Sequence, residues 1–177
     1  MCRKLNLNKK LNFDNIDLTA PDIVIAELLN LLPVETNDLI NGKIEKYDGP
    51  VMSYINNSIS AISSSLKSMY NEVDIQTNLG EIGTETHKFE CYLYTPEYDK
   101  YHYRMFFVKY NISNYPVTII LEESIAKSIS VPNGEYIYIC NTRSELEELI
   151  VRILTSKRII EVMQELIRIN QAKKSSK

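Results

Sequence analysis

The sequence contains no tryptophan and only five glycines, three cysteines and two histidines in 177 residues. The cysteines, Cys2, Cys91 and Cys140, form no CxxC pair, and an odd number does not suit the disulfide framework of a small secreted protein. Neither an HExxH motif nor a glycine-rich phosphate-binding motif occurs. The sequence therefore indicates no metal site and no cofactor.

Long apolar runs are also missing, since no stretch approaches the roughly 20 residues that a membrane-spanning helix needs. The first residues, MCRKLNLNKKLNF, alternate charged side chains with single leucines instead of forming the apolar core of a signal peptide. We therefore expect a cytoplasmic protein without a membrane span. Cys91 and Cys140 lie within apolar runs, and we expect them to be inert core residues because burial raises the pKa of a thiol.

The net charge of −3 is unevenly distributed. Residues 1–12 contain four basic residues and no acid, and residues 171–177 contain three lysines and no acid. The remaining 13 basic residues face all 23 acidic residues, so residues 13–170 carry a net charge of −10. Because nucleic-acid affinity depends on neutralising phosphates, binding of nucleic acid by this acidic body is disfavoured. The two basic ends are either solvated termini or contact points for RNA, an acidic partner or a membrane surface.

Length and composition predict one globular domain, in which a chain of this size buries roughly 70% of the surface that it exposes when unfolded. Hydrophobic residues make up 44% of the sequence and charged residues 24%. We expect residues 1–18 to be a flexible polar and basic arm, residues 19–170 to be a single α+β domain, and residues 171–177 to be a disordered basic tail.

Several segments carry helix signals. Thr19 is a candidate N-cap for the helix in TAPDIVIAELLNLL, with Pro21 in the first turn. From Met52 to Val73, apolar residues recur at alternating intervals of three and four, which predicts an amphipathic helix that packs either on the protein's own sheet or on a partner. Thr142 begins a capping-box pattern with Glu145 before a C-terminal helix, and Ser156 either caps a second helix or marks a bend.

The segment from residue 87 to residue 140 has strand patterns. In HKFECYLYT, the residues Phe89, Cys91 and Leu93 alternate with polar residues and tyrosines, which is typical of a strand with one buried face. Three further strands are predicted in YHYRMFFVKY, YPVTIILEE and EYIYIC, and an earlier one in LINGKIEKY. Short connections favour antiparallel pairing. The fold class is therefore α+β, with an antiparallel sheet of four to five strands packed against N-terminal and C-terminal helices.

Six of the twelve tyrosines fall between residues 92 and 110. Tyrosine is favoured in strands, so this density fits one wall of a sheet. The functional alternative is an exposed face that a partner covers, because tyrosine and arginine are enriched in interface hot spots. The candidate partner-binding residues are Tyr92, Tyr94, Tyr101, Tyr103 and Arg104. We expect a protein that binds another protein or itself through this face or through the amphipathic helix, without catalysing a reaction.

His102 supports an alternative function. Asp99 lies three residues before it, and a histidine beside a carboxylate suits proton transfer, so a pocket around Asp99 and His102 would indicate a small-ligand sensor or an enzyme. No Cys or Ser nucleophile for such a site can be named from the sequence. We therefore assign no catalytic residue.

Three segments together resemble an arrangement found in small uncharacterised bacterial proteins: IAELLNLLPVETNDLINGKI, YLYTPEYDKYHYRMFFVKYNISNYPVTI and SELEELIVRILTSKRIIEVMQELI. In that arrangement an N-terminal helix precedes a threonine-containing turn, an aromatic hairpin leads into a YPV strand, and a helix ends at a serine before a second helix. The resemblance covers about two thirds of the chain. It implies a bacterial, cytosolic α+β protein and carries no activity and no site residues.

Overall fold

The computed structural model describes residues 19–54, 70–72, 86–129 and 136–174. The helices in these ranges are α1 Pro21–Leu29, α2 Leu32–Glu35, α3 Glu123–Ser128, α4 Arg143–Leu154 and α5 Lys157–Lys174. The strands are β1 Asn41–Lys46, β2 Met52–Tyr54, β3 Tyr70–Glu72, β4 Thr86–Thr95, β5 Tyr98–Asn111, β6 Val117–Leu121 and β7 Ile137–Cys140.

Five of the strands form one antiparallel sheet in the order β1-β4-β5-β6-β7. The helices contribute to the same apolar core as one face of this sheet, so the α+β class and the five-stranded antiparallel sheet are confirmed. β2 and β3 form a separate two-stranded ladder. No helix of the described residues has both the length and the apolar character to cross a bilayer.

The core lies between the sheet and its helices. Phe89, Cys91 and Leu93 of β4 point into it, as their alternation predicts. The helices contribute Ile25 and Leu29 from α1 and a set of buried residues from α4 and α5: Leu146, Leu149, Ile150, Ile153, Ile159, Val162 and Leu166. Both described cysteines are buried. Burial raises the pKa of Cys91 well above its ordinary value and that of Cys140 to about 11, so the expectation of inert thiols agrees with the structure.

A bulge at Met105 changes the register of β5. Cys91 of β4 faces Phe106, whereas the next residue, Tyr92, faces Arg104, so Met105 is the extra residue. After the bulge, Phe106, Val108 and Tyr110 point into the core. Before the bulge the odd-numbered Tyr103, opposite Leu93, packs on the core side instead. Odd-numbered residues therefore point into the core in the first half of β5, and even-numbered residues do so in the second half.

The ends of the helices confirm part of the sequence pattern. Thr142 Oγ1 accepts a hydrogen bond from the Glu145 backbone N at 3.2 Å, as the capping box predicts. Ser156 Oγ accepts one from the Ile159 backbone N at 3.3 Å and separates α4 from α5. The prediction for Thr19 is wrong: α1 has Ala20 as its N-cap, with no side-chain capping bond. The Thr19 hydroxyl instead accepts a hydrogen bond from Arg143 Nη1 at 3.4 Å.

Two other segments differ from the sequence analysis. The ends of the helix predicted from Met52 to Val73 are the strands β2 and β3, which pair with each other, while residues 55–69 lie outside the described residues. α3 lies between the strands predicted in YPVTIILEE and EYIYIC, where no helix was predicted, and the Glu122 side chain caps it. Of the disordered tail predicted at residues 171–177, residues 171–174 belong to α5, which ends at Lys174. Residues 175–177 and the predicted flexible arm 1–18 lie outside the described residues.

One hydrogen bond ties α1 to the sheet. The Tyr110 hydroxyl donates to Asp22 Oδ1 at 2.5 Å, linking the first turn of the helix to β5. Burial, followed by this hydrogen bond to the carboxylate, raises the pKa of Tyr110. The interaction requires the protonated hydroxyl, so its contribution to stability is complete below the unfolded pKa of about 10 and is lost at higher pH.

We expect Tyr110→Phe to lower the free energy of unfolding by about 1.5 kcal/mol at pH 7, since it removes a hydrogen bond to a charged group. The difference between the wild type and the variant should shrink as the pH rises above about 10, because only the wild type then ionises this residue on unfolding. Urea unfolding at pH 7 and pH 11 measures both quantities. A difference that grows at pH 11 would contradict this assignment.

Candidate interaction surface

We call the face of the sheet that points away from the helices and the main core the outer face. In the described residues it carries side chains from all five strands, and no described helix packs on it. Over β5, β6 and β7 it is apolar: Ile120 and Val51 are buried against each other, with Tyr47, Phe107 and Ile137 around them. Over β1, β4 and the first half of β5 it is aromatic and charged.

Three aromatic residues form a cluster at the second of these regions, and we call it the aromatic cluster. The His102 ring stacks on Tyr92 with centroids 4.2 Å apart, and Tyr94 packs against both, at 5.8 Å from His102 and 6.0 Å from Tyr92. Tyr92 is only 4% exposed, whereas His102 is exposed and Tyr94 is half-buried. Tyr92 is therefore the buried member of the aromatic cluster, and Tyr94 and His102 are the members that contact solvent.

Glu45 on the neighbouring β1 fixes the position of Tyr92. Burial and a hydrogen bond to the Glu45 carboxylate raise the pKa of the Tyr92 hydroxyl, so this residue stays a hydrogen-bond donor. Hydrogen bonds from Lys43 and then from Tyr92 lower the pKa of Glu45 and keep it ionised. Lys43 and Glu45 also form an ion pair at the surface. The aromatic cluster is thus bordered on one side by paired charges.

Arg104 borders the cluster on the other side. Its Nε and Nη2 atoms each lie 2.7 Å from Glu90 Oε2, and its guanidinium carbon lies 4.7 Å from the centroid of the Phe107 ring and 5.5 Å from that of Tyr47. The side chain is still 50% exposed. An arginine that is oriented by a carboxylate and by two rings loses little conformational freedom when a partner contacts it.

A cavity of about 200 Å³ opens beside Arg104, between the middle of β5 and the C-terminal end of β6. Phe107 and Ile120 form its apolar wall, and Glu122 and Glu123 form its acidic one. A partner side chain that extended past Arg104 would contact both the apolar wall and the acidic wall of this cavity. The cavity therefore extends the outer face rather than forming a separate enclosed site.

The structure divides the candidate residues predicted from the sequence. Tyr92, Tyr94 and Arg104 share the outer face, and Tyr101, one residue before His102, is 47% exposed. Tyr103 lies on the helix side, opposite Leu93 and against the main core. Its hydroxyl is 3.3 Å from Glu122 Oε2 and 3.4 Å from Ser124 Oγ. Tyr103 therefore connects β5 to α3 and is not part of the aromatic cluster.

Tyr103 also contacts α5, because the Arg158 guanidinium lies 5.7 Å from the centroid of its ring. Arg158 Nε donates to Ser124 Oγ at 3.0 Å. Although burial raises the pKa of Glu122, hydrogen bonds from Ser124, Ile125 and Tyr103 outweigh it and lower that pKa. The side chains around Tyr103 therefore contact one another and stabilise the packing of β5 against α3 and α5.

The alternative site around His102 is not assembled by the described residues. His102 stacks on Tyr92 at the surface, while Cys91, the residue before Tyr92, points to the opposite face of the sheet. The side chain of Asp99 lies outside the described residues. Within the described ranges, no group of three or more His, Cys, Asp or Glu side chains is arranged to hold a metal ion.

Among the residues of the outer face that sequence reasoning missed are Glu45, Tyr47 and Phe107. Tyr47 and Phe107 have ring centroids 4.7 Å apart and flank Arg104. Their separation in the sequence gives no sign of contact, and only the pairing of β1 with β4 and of β4 with β5 brings them together. Comparison of the chain with protein-family models, with curated proteins and with solved structures found no match.

Proposed function

We propose that this protein is a non-enzymatic binding protein whose outer face, centred on Tyr92, Tyr94, His102 and Arg104, contacts a protein partner or a second copy of the chain. The observation that carries the proposal is the stacked aromatic cluster on a face where no described helix packs. We further propose a cytoplasmic location and a bacterial origin, in line with the sequence resemblance. Residues 55–69 of the predicted amphipathic helix lie outside the described residues.

The side chains of the outer face are of the types that bind a partner protein when it buries them. Interface hot spots are enriched in Tyr and Arg and are surrounded by polar contacts that exclude water. Here the rings of Tyr94 and His102 stand between two charge pairs, Lys43 with Glu45 and Arg104 with Glu90. Because each charge already has a partner, a protein that covers the cluster does not leave an isolated charge desolvated. The cluster would supply affinity, and the charge pairs would supply orientation.

The test uses the variant Tyr94→Ala/His102→Ala. We expect it to weaken partner binding by about 2 kcal/mol or more, that is about 30-fold, because both rings belong to the exposed part of the cluster. The free energy of unfolding should fall by about 1–2 kcal/mol, since each of the aromatic contacts that the variant removes contributes roughly 0.2–1 kcal/mol. The partner is captured from the native host, purified, and titrated against wild type and variant by calorimetry. Self-association is followed by light scattering.

Ile112→Ala is the matched control, because Ile112 is 78% exposed and lies beyond the end of β5. It removes exposed apolar surface at a distance from the cluster, and we expect it to leave partner binding unchanged. Equal binding by the wild type and the Tyr94→Ala/His102→Ala variant would refute the proposal. The alternative function, a sensor or enzyme around His102, is not favoured, because the side chain of Asp99 lies outside the described residues and Cys91 points to the opposite face of the sheet.

A further inference from the structure

The two edges of the five-stranded sheet differ in their protection against further pairing. β1 ends the sheet on one side and contains Lys43, Glu45 and Lys46, whereas β7 ends it on the other side with the sequence Ile-Tyr-Ile-Cys. Natural edge strands are commonly protected by charged side chains, especially lysine. β7 has none, and its Ile139 is 63% exposed. Its shortness is the only obstacle that the strand itself offers to an added strand.

The outward backbone groups of β7 can be identified from its pairing. The Leu121 backbone N donates to the Tyr136 carbonyl at 2.8 Å, so Tyr136 faces β6, and by alternation Tyr138 and Cys140 face it too. The N–H and C=O groups of Ile137 and Ile139 therefore point away from β6. Among the described strands, β7 pairs with β6 alone. The N–H and C=O groups of these two residues can therefore form hydrogen bonds with two residues of an added antiparallel strand.

A groove of about 330 Å³ runs beside this edge, between β7 and α4. Glu145, Glu148 and Arg152 line its helix side. The Arg152 guanidinium carbon lies 5.7 Å from the centroid of the Tyr138 ring, which places positive charge near the middle of β7. Glu145 Oε2 accepts a hydrogen bond from the Asn141 backbone N at 2.7 Å, which places negative charge at the C-terminal end of β7. The groove is therefore acidic at one end and basic at the other.

We propose that the β7 edge binds an extended segment of a partner protein as an antiparallel strand with the pattern Lys/Arg, apolar, Asp/Glu. In an antiparallel strand the first of these residues lies nearer to Cys140, so the base faces Glu148 and the acid faces Arg152. The spacing agrees, because strand residues two apart are separated by about 6.6 Å and helix residues four apart by about 6 Å. The apolar residue between them points to the outer face, beside the exposed Ile139 side chain.

The probe is the acetylated, fluorescently labelled peptide Val-Lys-Val-Glu-Val-Thr, titrated with the full chain by fluorescence anisotropy. We expect binding that Ile139→Pro weakens at least about tenfold, since proline removes the donor that the added strand needs. The Ile139 N–H faces away from β6, so the substitution removes no bond of the sheet itself. The charge-exchanged peptide Val-Glu-Val-Lys-Val-Thr has the same composition and should bind at least about tenfold more weakly.

A second variant keeps the test decisive if Ile139→Pro does not fold. The double variant Glu148→Lys/Arg152→Glu exchanges the charges of the groove and should prefer the charge-exchanged peptide. Failure of the wild type to bind the first peptide, or equal binding of both peptides by the wild type, would overturn the proposal. Tyr94→Ala/His102→Ala should bind the peptide as the wild type does, so this proposal and that for the outer face fail separately.

Two results would assign the edge to a different occupant and so reject the partner segment. The first is a wild-type dimer in sedimentation experiments that becomes a monomer in Glu148→Lys/Arg152→Glu or in Ile139→Pro. This result would indicate that two copies of the chain pair through β7. The second is peptide affinity that rises about tenfold when residues 1–12 are deleted, which would indicate that this basic segment of the chain occupies the groove.

Discussion

Replacement of Phe106 by alanine is expected to lower the free energy of unfolding by about 3–5 kcal/mol, the range for truncation of a buried phenylalanine. Phe106 is 1% exposed and lies in the central strand of the sheet, where it contributes to the main core. Removal of the ring leaves a cavity that the surrounding strands and helices fill only in part. Urea unfolding followed by circular dichroism measures the change.

Phe107→Ala is the matched control, because it removes the same ring one position later on the opposite face. Phe107 is partly exposed and packs on Tyr47 and Arg104 rather than in the main core. We expect a loss of about 1–2 kcal/mol, since less apolar surface returns to water. If both variants lost equal stability, the division of β5 into a core face and an outer face would be wrong.

Gly42→Val is expected to destabilise the protein by about 2 kcal/mol through overpacking. A Cβ at this position would lie 2.7 Å from Leu29 Cδ2, 3.1 Å from Leu29 Cβ and 3.0 Å from Leu32 Cδ1. The end of the leucine side chain can rotate, but its Cβ moves only with helix α1. Glycine is therefore required here by the close approach of α1 to β1. The loss of stability is measured by thermal and urea unfolding.

Lys43→Val provides the comparison for Gly42→Val, because it places the same side chain on the exposed face of the same strand. Its effect should stay within about 0.5 kcal/mol. In a Leu29→Ala background, the additional cost of Gly42→Val should fall, because the two sites share one space and their effects are not additive. An unchanged cost in that background would rule out the contact with Leu29 as the cause.

The sequence was sufficient to predict the elements whose signals are local. The alternation of Phe89, Cys91 and Leu93 identifies β4 and its buried face, and the capping box at Thr142 identifies the start of α4. The α+β class and the antiparallel sheet follow from such signals, because hydrophobic periodicity and short connections act over a few residues.

The elements that were missed depend on contacts between distant residues. The apolar spacing after Met52 predicts a helix, yet its described ends pair as the strands β2 and β3, because pairing of two segments can override a local helix pattern. Tyr92 and Tyr94 were predicted to share a face with Tyr103, but the bulge in β5 reverses the alternation. The partners of Arg104, namely Glu90, Tyr47 and Phe107, come from three strands and have no common motif.

The extra residue in β5 has an evolutionary consequence. Met105 and Phe106 both point into the core, while the pairing of Tyr92 with Arg104 and of Leu93 with Tyr103 turns Arg104 to the outer face and Tyr103 toward the helices. Deleting the Met105 codon would restore a regular ladder in which Arg104 still pairs with Tyr92 and Tyr103 with Leu93, so the side chains on both sides of the sheet stay where they are. A lineage could thus lose or gain the bulge through a single indel while keeping both the contact groups of the outer face and the residues that stabilise the fold.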